Sequence, residues 1–154
     1  MVRKTKQRMK TMEISEITTS VNQLEFHPFY NRMDLLNFCQ EQDITVTAYS
    51  PLAQFKTLEI DVVNEISRKY DKTPAQVILK WELQKETIPI PKSKSEKHLE
   101  ENIRIFNWEL DSRDLEKIDS IEKEEQALGL PISASKIPFP IALFINRLSS
   151  SSIS

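Results

Sequence analysis

The sequence predicts an α/β fold whose strands run parallel and are joined by helical crossovers. Short apolar segments near residues 21, 44 and 88 alternate with longer stretches whose apolar residues recur at helical spacing. Two of the strand segments close on prolines, at His27-Pro28 and at Pro91, which cannot donate to a continuing ladder. The single glycine, Gly129, excludes the glycine-rich phosphate loops of dinucleotide-binding and Walker-type proteins. Any nucleotide site in this chain must therefore be built from side chains and helix ends.

Taken in order, Val21–Phe26 (VNQLEF) reads as the first strand. Met33–Glu41 follows as a helix with Asn31 as its cap and Leu35, Leu36 and Cys39 on one face. Ile44–Tyr49 alternates Ile44, Val46 and Ala48 against Thr45, Thr47 and Tyr49, which describes a strand with two distinct faces. Glu59–Tyr70 places Val62, Val63 and Ile66 at buried helical spacing. Thr73-Pro74-Ala75-Gln76 is a helix start with a threonine cap, a proline at the first helical position and a glutamine that completes a capping box. That helix runs to about Lys85. Ile88–Ile90 is the next strand, and Ser95 caps a helix with the apolar stripe Leu99, Ile103 and Phe106. Asp111 or Ser112 caps a last helix carrying Leu115, Ile118 and Ile121. A three-stranded parallel sheet with helices on one side leaves apolar sheet surface uncovered. It resembles a sector of a (β/α)₈ barrel, which usually takes ~250 residues.

Composition narrows the function classes. A chain of 154 residues with a net charge of -2 and interspersed charges gives no reason to expect nucleic acid. The basic start, with Arg3, Lys4, Lys6, Arg8 and Lys10, lacks the amphipathic Arg/Ser pattern of a targeting peptide and reads as a solvated helix face or frayed terminus. Cys39 is alone, so neither a disulfide framework nor a cysteine-based metal set is expected, and two distant histidines add no metal site. The apolar run Ile137–Ile145 is far short of the ~20 residues that cross a membrane. A soluble, cytoplasmic protein is expected. Three stretches are distinguished: a basic lead-in over 1–20, a structured unit over 21–122, and a tail over 123–154 read as loop or disorder with a short apolar docking segment.

The stretch with the most chemical content is IPKSKSEKHLEEN at 90–102. A strand end there releases Lys92, Ser93 and Ser95 into a helix N-terminus, where the helix dipole and free N–H groups favour an anion. On the residues alone, Lys92 and Ser93 also read as turn and capping residues, and His98 as a solvated residue of the first helical turn. His27 reads as a structural histidine bonded to backbone, and Trp81 and Trp108 as packing residues.

Together with VNQLEFHP at 21–28, AYSPLAQ at 48–54, TPAQVILKW at 73–81 and WELDSRDLEKIDSIE at 108–122, this stretch resembles the C-terminal half of the aldo-keto reductases. The resemblance implies a partial (β/α)₈ TIM barrel covering roughly strand–helix units 6 to 8. It also implies the family activity, NAD(P)H-dependent reduction of small aldehydes and ketones to alcohols. The cofactor would be NADP(H), with NAD(H) as the alternative, held without a Rossmann turn.

By the same resemblance, Gln23 orients the nicotinamide carboxamide from the end of its strand, and Tyr49 stacks on the nicotinamide ring. Ser50 and Leu52 line the pyrophosphate path. Lys92, Ser93 and Ser95 meet the adenosine 2′-phosphate, and Glu101 and Asn102 reach the adenine. Where many members carry arginine, this chain has His98. Arginine holds phosphate with a permanent bidentate fork, whereas histidine is mostly neutral at pH 7, so weaker discrimination for NADPH over NADH is expected.

The family's Asp, Tyr, Lys and His tetrad belongs to the first half of its barrel. His27, Tyr30 and Lys92 are of the right types but occupy C-terminal motifs, so no catalytic residue is assigned. The expected partners are a small carbonyl substrate, if an N-terminal half completes the barrel, and a second copy through uncovered sheet edges; no nucleic acid and no membrane is expected. A fragment of an enzyme, one half of a split enzyme, and a non-catalytic nucleotide- or protein-binding remnant are the readings this leaves.

Overall fold

The computed structural model describes residues 19–121. The basic lead-in up to residue 18 and the tail over 123–154, with its apolar run Ile137–Ile145, lie outside the described residues. Three strands, β1 (Val21–Glu25), β2 (Thr45–Tyr49) and β3 (Thr87–Ile90), form one sheet in the order β1-β2-β3. Both pairings are parallel, with Gln23 opposite Thr47 and Tyr49 opposite Ile90. Five α-helices, α1 (Met33–Glu41), α2 (Asp61–Tyr70), α3 (Pro74–Gln84), α4 (Glu96–Ile103) and α5 (Ser112–Asp119), and two 3₁₀ segments, Pro28–Tyr30 and Ala53–Glu59, complete the described fold.

The alternation expected for β2 is what the structure shows. Val46 and Ala48 are buried in one core with Leu24 of β1, Leu35, Leu36 and Cys39 of α1, Val63 and Ile66 of α2, and Val77, Ile78 and Trp81 of α3. Val62, which shares the predicted apolar set of α2, is only partly buried and packs at the margin of that core. The opposite sheet face carries Val21, Gln23, Thr45, Thr47, Tyr49, Ile88 and Ile90, none of them buried. Val21, Ile88 and Ile90 there are the exposed hydrophobics of the sheet. The open face is thus mixed, mainly polar along β1 and β2 apart from Val21 at its edge, and apolar along β3.

Long-range side-chain contacts tie the helices to one another and to the end of β1. Trp81 stacks on Phe26, with ring centroids 5.1 Å apart and planes at 8°, a contact worth about 0.5–1.5 kcal/mol beyond its buried area. The Trp81 Nε1–H donates to Asp119 Oδ1 at 2.8 Å, and Lys85 Nζ pairs with Asp119 Oδ2 at 2.5 Å. Asp119 at the end of α5 therefore fixes Trp81 of α3 and Lys85 at that helix's C-cap. Lys69 of α2 reaches Asp111 at 2.7 Å and Asp114 at 2.6 Å, and the bond to Lys69 holds the Asp111 carboxyl down to about 2.

Caps decide the helix starts, and here some expectations need correction. The Thr73 capping box is present: Thr73 Oγ1 accepts from Gln76 N at 3.2 Å and Gln76 Oε1 accepts from Thr73 N at 3.0 Å. Asp111, rather than Ser112, caps α5 by accepting from Asp114 N at 2.9 Å. Asn31 does not cap α1; the N-cap position is Arg32, and Asn31 Nδ2 instead donates to the Asp119 carbonyl at 3.0 Å. Ser95 holds the N-cap position of α4 but its side chain makes no capping bond. The hydroxyl of Ser93 bonds Ser95 N and O, each at 3.1 Å, and closes the turn before the helix.

The stripe expected to bury α4 also behaves differently. Leu99, Ile103 and Phe106 are all exposed, because no described element lies over that face of the helix.

Candidate functional site

Chain segments leaving the C-terminal ends of β2 and β3 build a cleft, as ligand sites in parallel α/β sheets commonly do. After Tyr49 the chain turns sharply. Ser50, Ala53, Gln54 and Phe55 all have positive φ, of 55°, 44°, 55° and 74°, although none is glycine. Left-handed non-glycine residues cost on the order of 1–3 kcal/mol each and concentrate at ligand sites. The turn is tied by Ala53 N donating to Ser50 O at 2.8 Å and Phe55 N to Leu52 O at 2.7 Å. After β3 the chain passes through Pro91–Ser95 into α4.

Between these segments lies a cavity of about 720 Å³. Of the residues assigned from the sequence, Leu52, Lys92, Ser93, Ser95, His98, Glu101 and Asn102 all line it. Ser50, with Leu52 and Lys92 again, lines an adjoining cavity of about 350 Å³. The two cavities share Leu52, Phe55 and Lys92, so they meet at that point. Lys94 and Lys97 add charge to the larger cavity, and Phe55, Leu58, Pro74 and Ala75 add apolar wall.

Those additional residues were not assigned from the sequence. Lys94 and Lys97 lie inside the motif at 90–102 and were legible there as cations beside Lys92. Phe55, Pro74 and Ala75 come from segments that meet α4 only in the folded chain.

The electrostatics suit an anion. Lys92, Lys94 and Lys97 surround the entrance to α4, and Lys97 reaches Glu101 only loosely, at 3.8 Å. With no side-chain cap from Ser95, the first turn of α4 lacks the N-cap acceptor that would satisfy its N–H groups. Such groups need an acceptor, and a phosphate supplies one. The far end of the cavity is held by Gln76, whose Nε2 donates to the Glu101 carbonyl at 2.9 Å.

Two assigned residues lie elsewhere. Gln23 is the middle residue of β1, exposed on the open sheet face, and not at the strand end as expected. Tyr49 closes β2 and, two residues on from Thr47, shares that face. Neither lines the two cavities. His27 is fully buried and its Nε2 lies 3.3 Å from Glu25 Oε1, so a carboxylate holds the ring where a backbone partner was expected. Arg32 donates to the Tyr30 hydroxyl at 3.4 Å.

Among the described residues no helix is long and apolar enough to cross a membrane, and no three of His, Cys, Asp and Glu gather as a metal set.

Comparison with known proteins follows the same residues. A family model described as the aldo/keto reductase family matches residues 4–123. Glyoxal reductase of Bacillus subtilis is 43% identical over 112 residues, which cover 73% of this chain and 41% of the relative. Aldose reductase B of Dictyostelium discoideum is 36% identical over 126 residues, covering 80% of this chain and 40% of the relative. The chain thus spans about two fifths of the length of the curated relatives it matches. Among solved structures, the aldose reductase of Schistosoma japonicum superposes with a TM-score of 0.73 at 32% identity, over 78% of this chain and 39% of that one. A mutant of Gox0644 in complex with NADPH superposes with a TM-score of 0.72 at 32% identity, over 76% of this chain and 43% of that one.

Proposed function

The chain belongs to the aldo/keto reductase family, and from that premise we propose that it holds the adenosine 2′-phosphate end of NADP(H) in the cavity between β3 and α4. The observation that carries this reading is the shared cavity: Lys92, Ser93, Ser95, His98, Glu101 and Asn102, with Leu52 of the segment after β2, line one space. Lys92 neutralises the phosphate, Ser93 and Ser95 offer hydroxyls, the first N–H groups of α4 have no acceptor within the helix and donate to the phosphate, and Glu101 and Asn102 reach the base. The pyrophosphate passes Ser50 and Leu52 along the adjoining cavity. NADPH, when bound, supplies the hydride of a carbonyl reduction.

On this reading the nicotinamide end lies along the open sheet face. Gln23 presents an amide, with both a donor and an acceptor for a carboxamide, and Tyr49 presents a ring on the same face. We infer that the segment corresponds to units 6 to 8 of a (β/α)₈ barrel. The proton for a reduced carbonyl comes from none of the residues assigned here, since His27, Tyr30 and Lys92 occupy other motifs. Turnover of a small aldehyde or ketone, glyoxal included, accordingly requires a further acid. The alternative reading is nucleotide binding without turnover.

Cofactor choice follows from His98. Without the fork of an arginine, the cavity discriminates weakly between NADPH and NADH. A competition titration of the two cofactors tests this, with comparable affinities expected and a strong NADPH preference opposing it. Glyoxal with NADPH present tests the second point: no oxidation of cofactor is expected from this chain alone, and steady turnover would contradict it.

A further inference from the structure

Phe55 has no role in the cofactor reading above, yet it stands at the junction of both cavities. The residue is 62% exposed, an unfavourable place for a large apolar ring that nothing in the described fold covers. Its backbone sits at φ 74°, a region that bulky residues avoid and glycine adopts freely. The 2.7 Å bond from Phe55 N to Leu52 O keeps the residue in that conformation. The wall beside it is divided: Leu52, Leu58 and Pro74 are apolar, while Lys92, Lys97 and His98 carry or can carry positive charge. An apolar slot bordered by cations fits a flat heteroaromatic ring that bears a phosphate.

Resting on the cofactor reading, we propose that Phe55 is a specificity-determining residue whose ring is the surface on which the adenine base stacks. Glycine would fill this backbone position at lower cost, so the phenylalanine is explained by what its ring touches when the nucleotide is bound. Adenine is the part of the cofactor common to NADPH and NADH. Phe55 therefore contributes to affinity for both, and the cationic side of the cavity contributes to the difference between them.

The test is calorimetric titration of the full chain with adenosine 2′,5′-bisphosphate and with nicotinamide mononucleotide, which lacks adenine. Phe55→Ala weakens the bisphosphate by about tenfold or more, the range of base stacking on an aromatic ring, and leaves nicotinamide mononucleotide unchanged. Phe55→Tyr restores the affinity, and the emission of Phe55→Trp changes on nucleotide addition. Phe55→Gly, which suits the backbone conformation, shows the same loss and serves if the alanine variant does not fold. Unchanged binding in the Ala or Gly variant, with binding still lost in Lys92→Ala, overturns the role of Phe55 and leaves the cofactor reading standing. Tighter binding in Phe55→Gly also overturns it, because the ring would then be an obstruction. Absence of bisphosphate binding by the unaltered chain overturns both.

Discussion

Gln76 joins the start of α3 to the body of α4: its Nε2 donates to the Glu101 carbonyl at 2.9 Å while its Oε1 accepts from Thr73 N at 3.0 Å. One side chain thus closes a helix cap and positions the wall of the cavity that carries Glu101 and Asn102. The two roles separate by substitution. Gln76→Ala loses both and lowers stability by about 1–2 kcal/mol, the sum expected for a capping bond and a neutral hydrogen bond. Gln76→Glu keeps an acceptor for Thr73 N but has no donor for Glu101. It retains most of the stability in denaturant unfolding and loses nucleotide affinity. Equal affinity in both variants and the unaltered chain would mean that the α3–α4 tie does not shape the cavity.

On the proposed reading, cofactor preference turns on His98. His98→Arg adds a permanent charge in the first turn of α4 and strengthens NADPH by roughly tenfold, the size of a charge-assisted hydrogen bond. NADH binding stays as it was, because it lacks the 2′-phosphate. Competitive titration at two salt concentrations checks this, since the gained contact weakens as salt rises.

Glu82 makes the stability of the chain depend on pH. It is fully buried in α3, and among the described residues neither carboxyl oxygen has a hydrogen-bond partner. Burial holds its carboxyl well above the ordinary value of 4.5. In the window above that value the folded chain keeps a proton that the unfolded chain has released. Stability therefore falls as pH rises from 4.5 through the folded value. Glu82→Gln removes the dependence: it melts higher than the unaltered chain near neutral pH and nearly together with it at acid pH. A pH-independent difference in melting between the two would contradict this assignment.

The open sheet face predicts association. Ile88 and Ile90 are 52% and 44% exposed on β3, an edge strand of the described sheet with unpaired backbone groups on its outer side. Sedimentation of the chain shows mass that rises with concentration, and Ile88→Lys reduces it. A monomer at all concentrations, with strong amide protection in β3, would show that this face is satisfied.

Much of this fold was legible locally. The Thr73 box, the alternation in Ile44–Tyr49 and the Asp111 cap rest on residues within a few positions of one another, and each is present. What was not legible depends on contacts between distant segments. Asn31 was free to cap α1 until Asp119 offered a carbonyl across the fold, and Ser95 was free to cap α4 until Ser93 closed the turn ahead of it. Periodicity marked Leu99, Ile103 and Phe106 as a face to be buried, but it carries no information on what covers that face.

The candidate site divides in the same way. The residues of the 90–102 motif share one cavity because a single strand–helix junction presents them. Gln23 and Tyr49 come from other strands, and their relation to that cavity was beyond a motif. Phe55, Pro74 and Ala75 entered the site only through the packing of the loop after β2 against α3 and α4.

The most direct test of the central claim is titration of the chain with NADPH, followed by tryptophan emission, beside the variant Lys92→Ala. Saturable binding that Lys92→Ala weakens by about tenfold, as loss of a charged contact to phosphate does, is the predicted result. Binding that Lys92→Ala leaves unchanged, or no saturable binding at all, would contradict it.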